Sequence, residues 1–133
     1  MSLTLEWRHR IEAWRNELAK HFYKPIAPIP LEAAFTKQQY RLGKALDSLP
    51  FDPITPGTAW GSKWEYGWFR GEITLPESAQ GQMIALMMNV GAESAVFING
   101  DYAGAVDQYH QVILLTDKTE GEATFSVVLE AQA

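Results

Sequence analysis

From Trp68 to Leu75 the chain alternates. Phe69, Gly71, Ile73 and Leu75 fall on one side, and Trp68, Arg70, Glu72 and Thr74 fall on the other. A period of two sends successive side chains to opposite faces of a sheet, so this run predicts a half-buried strand. Further on, Ala95-Val96-Phe97-Ile98 leads into Asn99-Gly100, the dipeptide that most readily supplies the positive φ angles of a tight hairpin. Short runs separated by polar turn residues predict strands at 68–75, 83–90, 94–98, 101–106, 111–115 and 123–130, with turns at 76–81, 91–93, 99–100, 107–110 and 116–121. Short strands at regular spacing favour a mainly β, antiparallel sandwich over parallel β-α-β units. The stretch from Trp68 onward holds only 66 residues, few for two full sheets. Residues 25–67 are therefore expected to supply edge strands or to wrap one end.

The beginning of the chain has a different period. Trp7, Ile11, Trp14, Leu18 and Phe22 are spaced 4, 3, 4 and 4 apart, which aligns them on one stripe of a helix over 4–23. Pro25 ends it, because a residue before proline is driven out of the α region. Two tryptophans on one stripe call for cover. The simpler reading packs the stripe on this chain's own sandwich, and the sharper one makes Trp7 and Trp14 an interface with another domain or subunit. Pro25-Ile26-Ala27-Pro28-Ile29-Pro30 should run extended over the surface. Residues 31–49 are ambiguous: Phe35, Tyr40, Leu42, Leu46 and Leu49 give a partial helical period interrupted by Gly43. Pro50, Pro53, Pro56 and Gly57 mark a second irregular connector. Residues 1–59 thus read as a helix and proline-rich leader wrapping a sandwich at 60–133, the two forming one domain. Phe69, Ile73, Ile84, Leu86, Val96, Ile98, Phe125 and Val127 are the expected core.

Charge divides the chain in two. Residues 1–44 carry eight Lys or Arg against four Asp or Glu (+4), and residues 45–133 carry three against twelve (−9). A basic leader and an acidic body are expected to attract each other, or the leader to meet another acidic surface. An acidic body makes nucleic acid a poor partner. No window approaches the roughly 18 continuous apolar residues of a membrane span, so no membrane partner is expected. Met1-Ser2-Leu3 lacks the basic-then-apolar pattern of a secretory signal, and cysteine is absent, so a cytoplasmic location is expected.

Five aromatics crowd the ten residues from Trp60 to Phe69: Trp60, Trp64, Tyr66, Trp68 and Phe69. Gly61 and Gly67 argue against a helix there, so this is a loop entering a strand. Such rings either stack on the C–H faces of a sugar or fill the end of the sandwich and a domain contact. Asp107-Gln108-Tyr109-His110 is a polar loop between strands, able to orient a sugar hydroxyl or simply to satisfy its own backbone. Catalytic patterns are missing. His9, His21 and His110 have no zinc spacing, and no dense run of oxygen ligands suggests calcium. Ser62, Ser78, Ser94 and Ser126 lie in no nucleophile elbow, and no spacing marks a glycosidase carboxylate pair.

The order Trp60-Gly61, Trp64, Trp68-Phe69-Arg70, Leu75-Pro76, Gly81-Gln82, Gly91 through Gly100, Gly104, Asp107, His110, Gly121 and Val127 through Ala131 resembles a known accessory module. It is similar to the N-terminal β-sandwich of glycoside hydrolase family 38 α-mannosidases of the cytosolic and vacuolar type. A looser likeness is to the sugar-binding sandwich of glycoside hydrolase family 2. The resemblance implies a galactose-binding-domain-like jelly roll with an N-terminal helix. It also implies a catalytic barrel elsewhere, holding the carboxylates and zinc or another divalent metal, so neither catalysis nor a cofactor is expected of these 133 residues.

The leading expectation is therefore a non-catalytic domain scaffolding an α-mannosidase, its partner being the catalytic domain of the same polypeptide or of a neighbouring subunit. Trp60 and Trp64 would make interdomain contacts, and Asp107, Tyr109 and His110 would approach the cleft. One alternative is an independent carbohydrate-binding module stacking sugar on Trp60, Trp64 and Tyr66. The other is an oligomerisation or protein-interaction domain working through Trp7 and Trp14.

Overall fold

The computed structural model describes residues 6–15, 25–116 and 123–133, apart from the side chains of Lys44 and Ala45. The elements are α1 (residues 6–15), β1 (Leu31–Thr36), α2 (Lys44–Asp47), β2 (Asp52–Ile54), β3 (Tyr66–Thr74), a 3-10 turn at Glu77–Ala79, β4 (Ile84–Met87), β5 (Ser94–Ile98), β6 (Asp101–Val106), β7 (Val112–Thr116) and β8 (Thr124–Gln132). The predicted continuation of the helix over 16–23, with Leu18, His21 and Phe22, lies outside the described residues, as does most of the turn before β8. Two antiparallel sheets form the body. One has six strands in the order β2-β1-β3-β8-β5-β6, and the other pairs β4 with β7.

Six strands thus emerge where alternation and turn residues predicted them, each within two or three residues. Asn99 and Gly100 take φ of 52° and 85°, the positive values that a hairpin of the primed type requires. The leader contributes more than edge cover. Its residues 31–36 form β1, which lies inside the large sheet between β2 and β3, so the sandwich begins at Leu31 and not at Trp60. The partial helical period of 31–49 misleads because only Lys44–Asp47 is helical. Leu31-Glu32-Ala33-Ala34-Phe35-Thr36 finds nine-residue β3 as a ready template, and pairing overrides weak local preference.

The core lies between the sheets. Phe69, Val127, Leu129, Ala131 and Val96 from the large sheet meet Leu86 and Ile113 from the small one. Leu75, Ala79 and Ile84 form a second cluster toward the other end, against Ile73, Leu115 and Phe125. Of the expected core, Ile73, Ile98 and Phe125 are only partly buried. Two glycines on the inner face of β3 permit close approach. A Cβ on Gly71 would lie 2.7 Å from the Pro30 carbonyl oxygen, and one on Gly67 would lie 2.9 Å from the rings of both Trp60 and Phe69. Gly71 therefore seats the proline strap, and Gly67 seats the Trp60 ring.

The outer face of the large sheet is covered over part of its width. Trp68, expected to point outward, does so by alternation, yet it is fully buried. The connector between β1 and β3 lies over this region: the Arg70 guanidinium sits 3.8 Å above the Phe51 ring and reaches Asp47 of α2 at 3.9 Å, while its Nε donates to Glu32 at 3.0 Å. The Trp68 indole N–H finds no acceptor among the described residues. That costs about 1–3 kcal/mol, set against the burial of the whole ring.

Packing of the α1 stripe on this chain's sandwich, the simpler expectation, is not observed. Trp7, Ile11 and Trp14 are all more than half exposed. The inner face of the large sheet is already occupied by β4 and β7, and part of its outer face by the connector.

Two substitutions check this packing. Gly71→Ala should destabilise the fold by about 1–3 kcal/mol, because its methyl group meets backbone that cannot move aside cheaply. Leu129→Ala should cost about 2–5 kcal/mol by opening a cavity in the main cluster. Both are read from urea unfolding midpoints against the parent chain.

Candidate functional site

Pairing register brings the candidate residues to one end of the large sheet. Tyr66, which starts β3, lies opposite Gln132, which ends β8, and Thr36 of β1 lies opposite Tyr66. On the far side of β8, Ser94 pairs with both Ala131 and Val106. The loops 61–65, 88–93 and 107–111 therefore share a rim with the last residues of β8. Backbone bonds tie this rim together: Ala133 N–H donates to Glu65 O at 3.0 Å, Met88 N–H to Gln111 O at 2.8 Å, and Gln132 N–H to Glu93 O at 3.4 Å.

The aromatic cluster divides into three roles. Trp60 is turned inward: it stacks on Phe35 at 5.6 Å, meets Phe69 edge-on at 5.3 Å, and donates its indole N–H to the Val90 carbonyl at 2.7 Å. It is half-buried and plugs the end of the sandwich, which leaves less of its ring for the expected sugar stacking than Trp64 offers. Trp68 and Phe69 are buried on opposite faces of β3, and Tyr66 is half-buried. Trp64 alone projects, 68 % exposed, with the Lys63 ammonium 5.6 Å from its ring centre. Its φ of 65° is left-handed, unusual for a bulky residue.

Residues without any signal in the pattern hold that conformation. The Glu65 carboxylate accepts from Gly61 N–H at 3.2 Å, Ser62 N–H at 3.4 Å and Ser62 Oγ at 3.3 Å. Lys37, from the end of β1, donates to Lys63 O at 2.9 Å and also to Ser62 Oγ. The loop is thus braced from inside and from the neighbouring strand.

Asp107 organises the second loop. Its Oδ1 accepts from Tyr109 N–H at 2.7 Å and His110 N–H at 2.8 Å and lies 3.3 Å from His110 Nδ1, while Asp107 N–H donates back to His110 O at 2.9 Å. The Tyr109 and His110 backbone amides hold its carboxyl below the usual carboxylate range. A carboxylate so engaged is a poor general base. Tyr109 is 81 % exposed beside it.

Between the loops, a depression of about 670 Å³ opens on the outer face of β8, β5 and β6. Ala95 and Ala105, paired across strands, form part of its lining, along with Glu93, Asp107, His110 and Glu130. Its lining includes no Phe, Tyr or Trp among the described residues. Glu130 is also bonded by Gln39 Nε2 at 3.0 Å. Alternation against buried Leu129 and Ala131 was the signal that would have marked Glu130 as outward. The structure thus unites Trp64, Tyr66, Asp107, Tyr109 and His110 at one rim but draws only Asp107 and His110 into the depression. Trp7 and Trp14 belong to α1, outside it.

Among the described residues no group of three His, Asp or Glu side chains could hold a metal ion. No described helix is long and apolar enough to cross a membrane. The searches of curated proteins and of solved structures gave no match. A family model described as "Alpha-mannosidase, jelly roll domain" matches residues 18–133, taking in both sheets, the strap and the rim. The chain belongs to the α-mannosidase jelly roll domain family.

Proposed function

We infer that this chain is a non-catalytic accessory module of an α-mannosidase, and that its β8 rim abuts the catalytic domain and borders the substrate cleft. The observation that carries this reading is Trp64. A large ring is held exposed in a left-handed backbone conformation, at a cost of about 1–3 kcal/mol, by a purpose-built brace of Glu65, Ser62 and Lys37. Such strain persists where a surface has a task, and aromatic anchors dominate protein contacts. Tyr109 is exposed at the same rim, where β8 ends and any polypeptide after this domain emerges. The catalytic carboxylates and the metal chemistry would belong to that partner, and this module would position it.

The exposed Trp64 ring also favours a second reading, an independent carbohydrate-binding module that stacks sugar there. The adjoining depression argues against it, because its described lining offers no Phe, Tyr or Trp ring to sandwich a sugar.

In an α-mannosidase polypeptide that carries this domain, Trp64→Ala and Tyr109→Ala should lower both the unfolding midpoint of the enzyme and its hydrolysis rate. The isolated chain should keep its stability within about 0.5 kcal/mol, since both side chains are exposed. Tryptophan emission of the isolated chain should not respond to mannose oligosaccharides. Saturable binding lost on Trp64→Ala would instead establish the carbohydrate-binding module.

A further inference from the structure

Two apolar faces of this chain lack cover, and they match. The first belongs to the small sheet. Ile84-Ala85-Leu86-Met87-Met88 and Val112-Ile113-Leu114-Leu115 are unbroken apolar runs, the pattern of strands buried on both faces. Only the inner face is buried, through Leu86 and Ile113. On the outer face Met87 lies opposite Val112 and Ala85 opposite Leu114, which makes the apolar surface continuous. Met87 is 63 % exposed, Leu114 53 % and Val112 40 %.

The second face is the α1 stripe of Trp7, Ile11 and Trp14. At about 100° per residue these three share one narrow arc. Arg10 falls on one flank, with its guanidinium 5.8 Å from the Trp7 ring centre, and Arg8 and Arg15 fall on the other. An apolar stripe edged by arginines suits an apolar seat on an acidic body, and residues 45–133 carry three basic against twelve acidic side chains.

Size and position agree as well. The ten residues of α1 span about 15 Å as a helix. The five residues of β7 span about 17 Å as a strand. A helix laid on a sheet face is one of the stable ways to complete a layered domain. The strap Pro25–Ile29 lines the same groove as Gln82 through Met88, so the leader joins the body beside β4. Within a single chain every described residue of α1 is exposed, so the seat is not filled by the chain's own helix.

We propose that α1 of one copy covers the outer β4–β7 face of a second copy, and the reverse, forming a two-fold exchanged dimer. Each copy supplies one helix and one seat, so two such contacts close the pair and leave neither face exposed. The contact is independent of the accessory role assigned to the rim.

Light scattering on the size-fractionated chain tests this, with Trp14→Glu and Leu114→Glu as the variants. The expected mass is twice that of the chain, falling to a single chain for either variant. Far-UV circular dichroism should be unchanged, since both side chains are exposed. Mixing the two variants should restore part of the dimer, because one intact helix and one intact seat remain. A monomeric wild type overturns the proposal, whether its tryptophan emission is blue-shifted (the helix folding onto its own body) or red-shifted (the faces awaiting another partner). A dimer lost with Trp14→Glu but indifferent to Leu114→Glu overturns it too, by placing the contact between helices.

Discussion

The structure depends on the pairing of β3 with β8. Nine residues of each strand align without a break, from Tyr66 opposite Gln132 to Thr74 opposite Thr124. Closing that pair joins segments roughly half the chain apart, and the loop entropy must be recovered from the contacts it creates. The contacts are good: Phe69 faces Leu129 on the inner side, and Trp68 faces Glu130 on the outer side. Every other strand of the large sheet then hangs from one of these two, β1 and β2 beyond β3, β5 and β6 beyond β8. A one-residue slip between them would exchange the inner and outer sets together.

Inequality of the two layers is the next constraint. Two strands cannot cover six, so other parts of the chain complete the enclosure. The strap lies across Gly71, the Trp60 ring closes the rim end against Gly67, and the connector around α2 lies over Arg70 on the outer face, where Trp68 is buried. These irregular segments take the place of strands that a fuller sandwich would have. Their coverage stops short of the outer face of β4 and β7, which is why apolar side chains remain in solvent there.

Rim geometry follows from the same pairing. Because β8 is central and runs to Gln132, loops distant in sequence end beside its last residues. Asp107 Oδ1 and Glu65 Oε1 each accept two amides of their own loop, and Glu65 Oε2 accepts from the Ser62 hydroxyl. These bonds shape the rim. In this jelly roll of the α-mannosidase family the loop carboxylates brace the rim, while Trp64 and Tyr109 are exposed on it.

What the amino-acid order determined by itself was local. Alternation located β3, because half-burial writes a period of two into the chain; turn residues bounding short apolar runs located β5, β6 and β8, and Asn99-Gly100 declared its hairpin because few other residues tolerate that backbone. The polar loop around Asp107 was likewise legible, since an Asx turn needs only neighbours. The motif order around Trp60 to Gly104 carried the family resemblance. Tertiary structure alone decided which rings were free. Trp60, Trp64 and Trp68 look alike in the sequence, yet one plugs the core, one is exposed and one is buried on the outer face. That difference depends on Val90, Lys37 and the Phe51 connector, brought near only by folding. The membership of Leu31–Thr36 in the sheet was decided the same way: its local period was ambiguous, and the hydrogen bonds waiting on the edge of β3 resolved it.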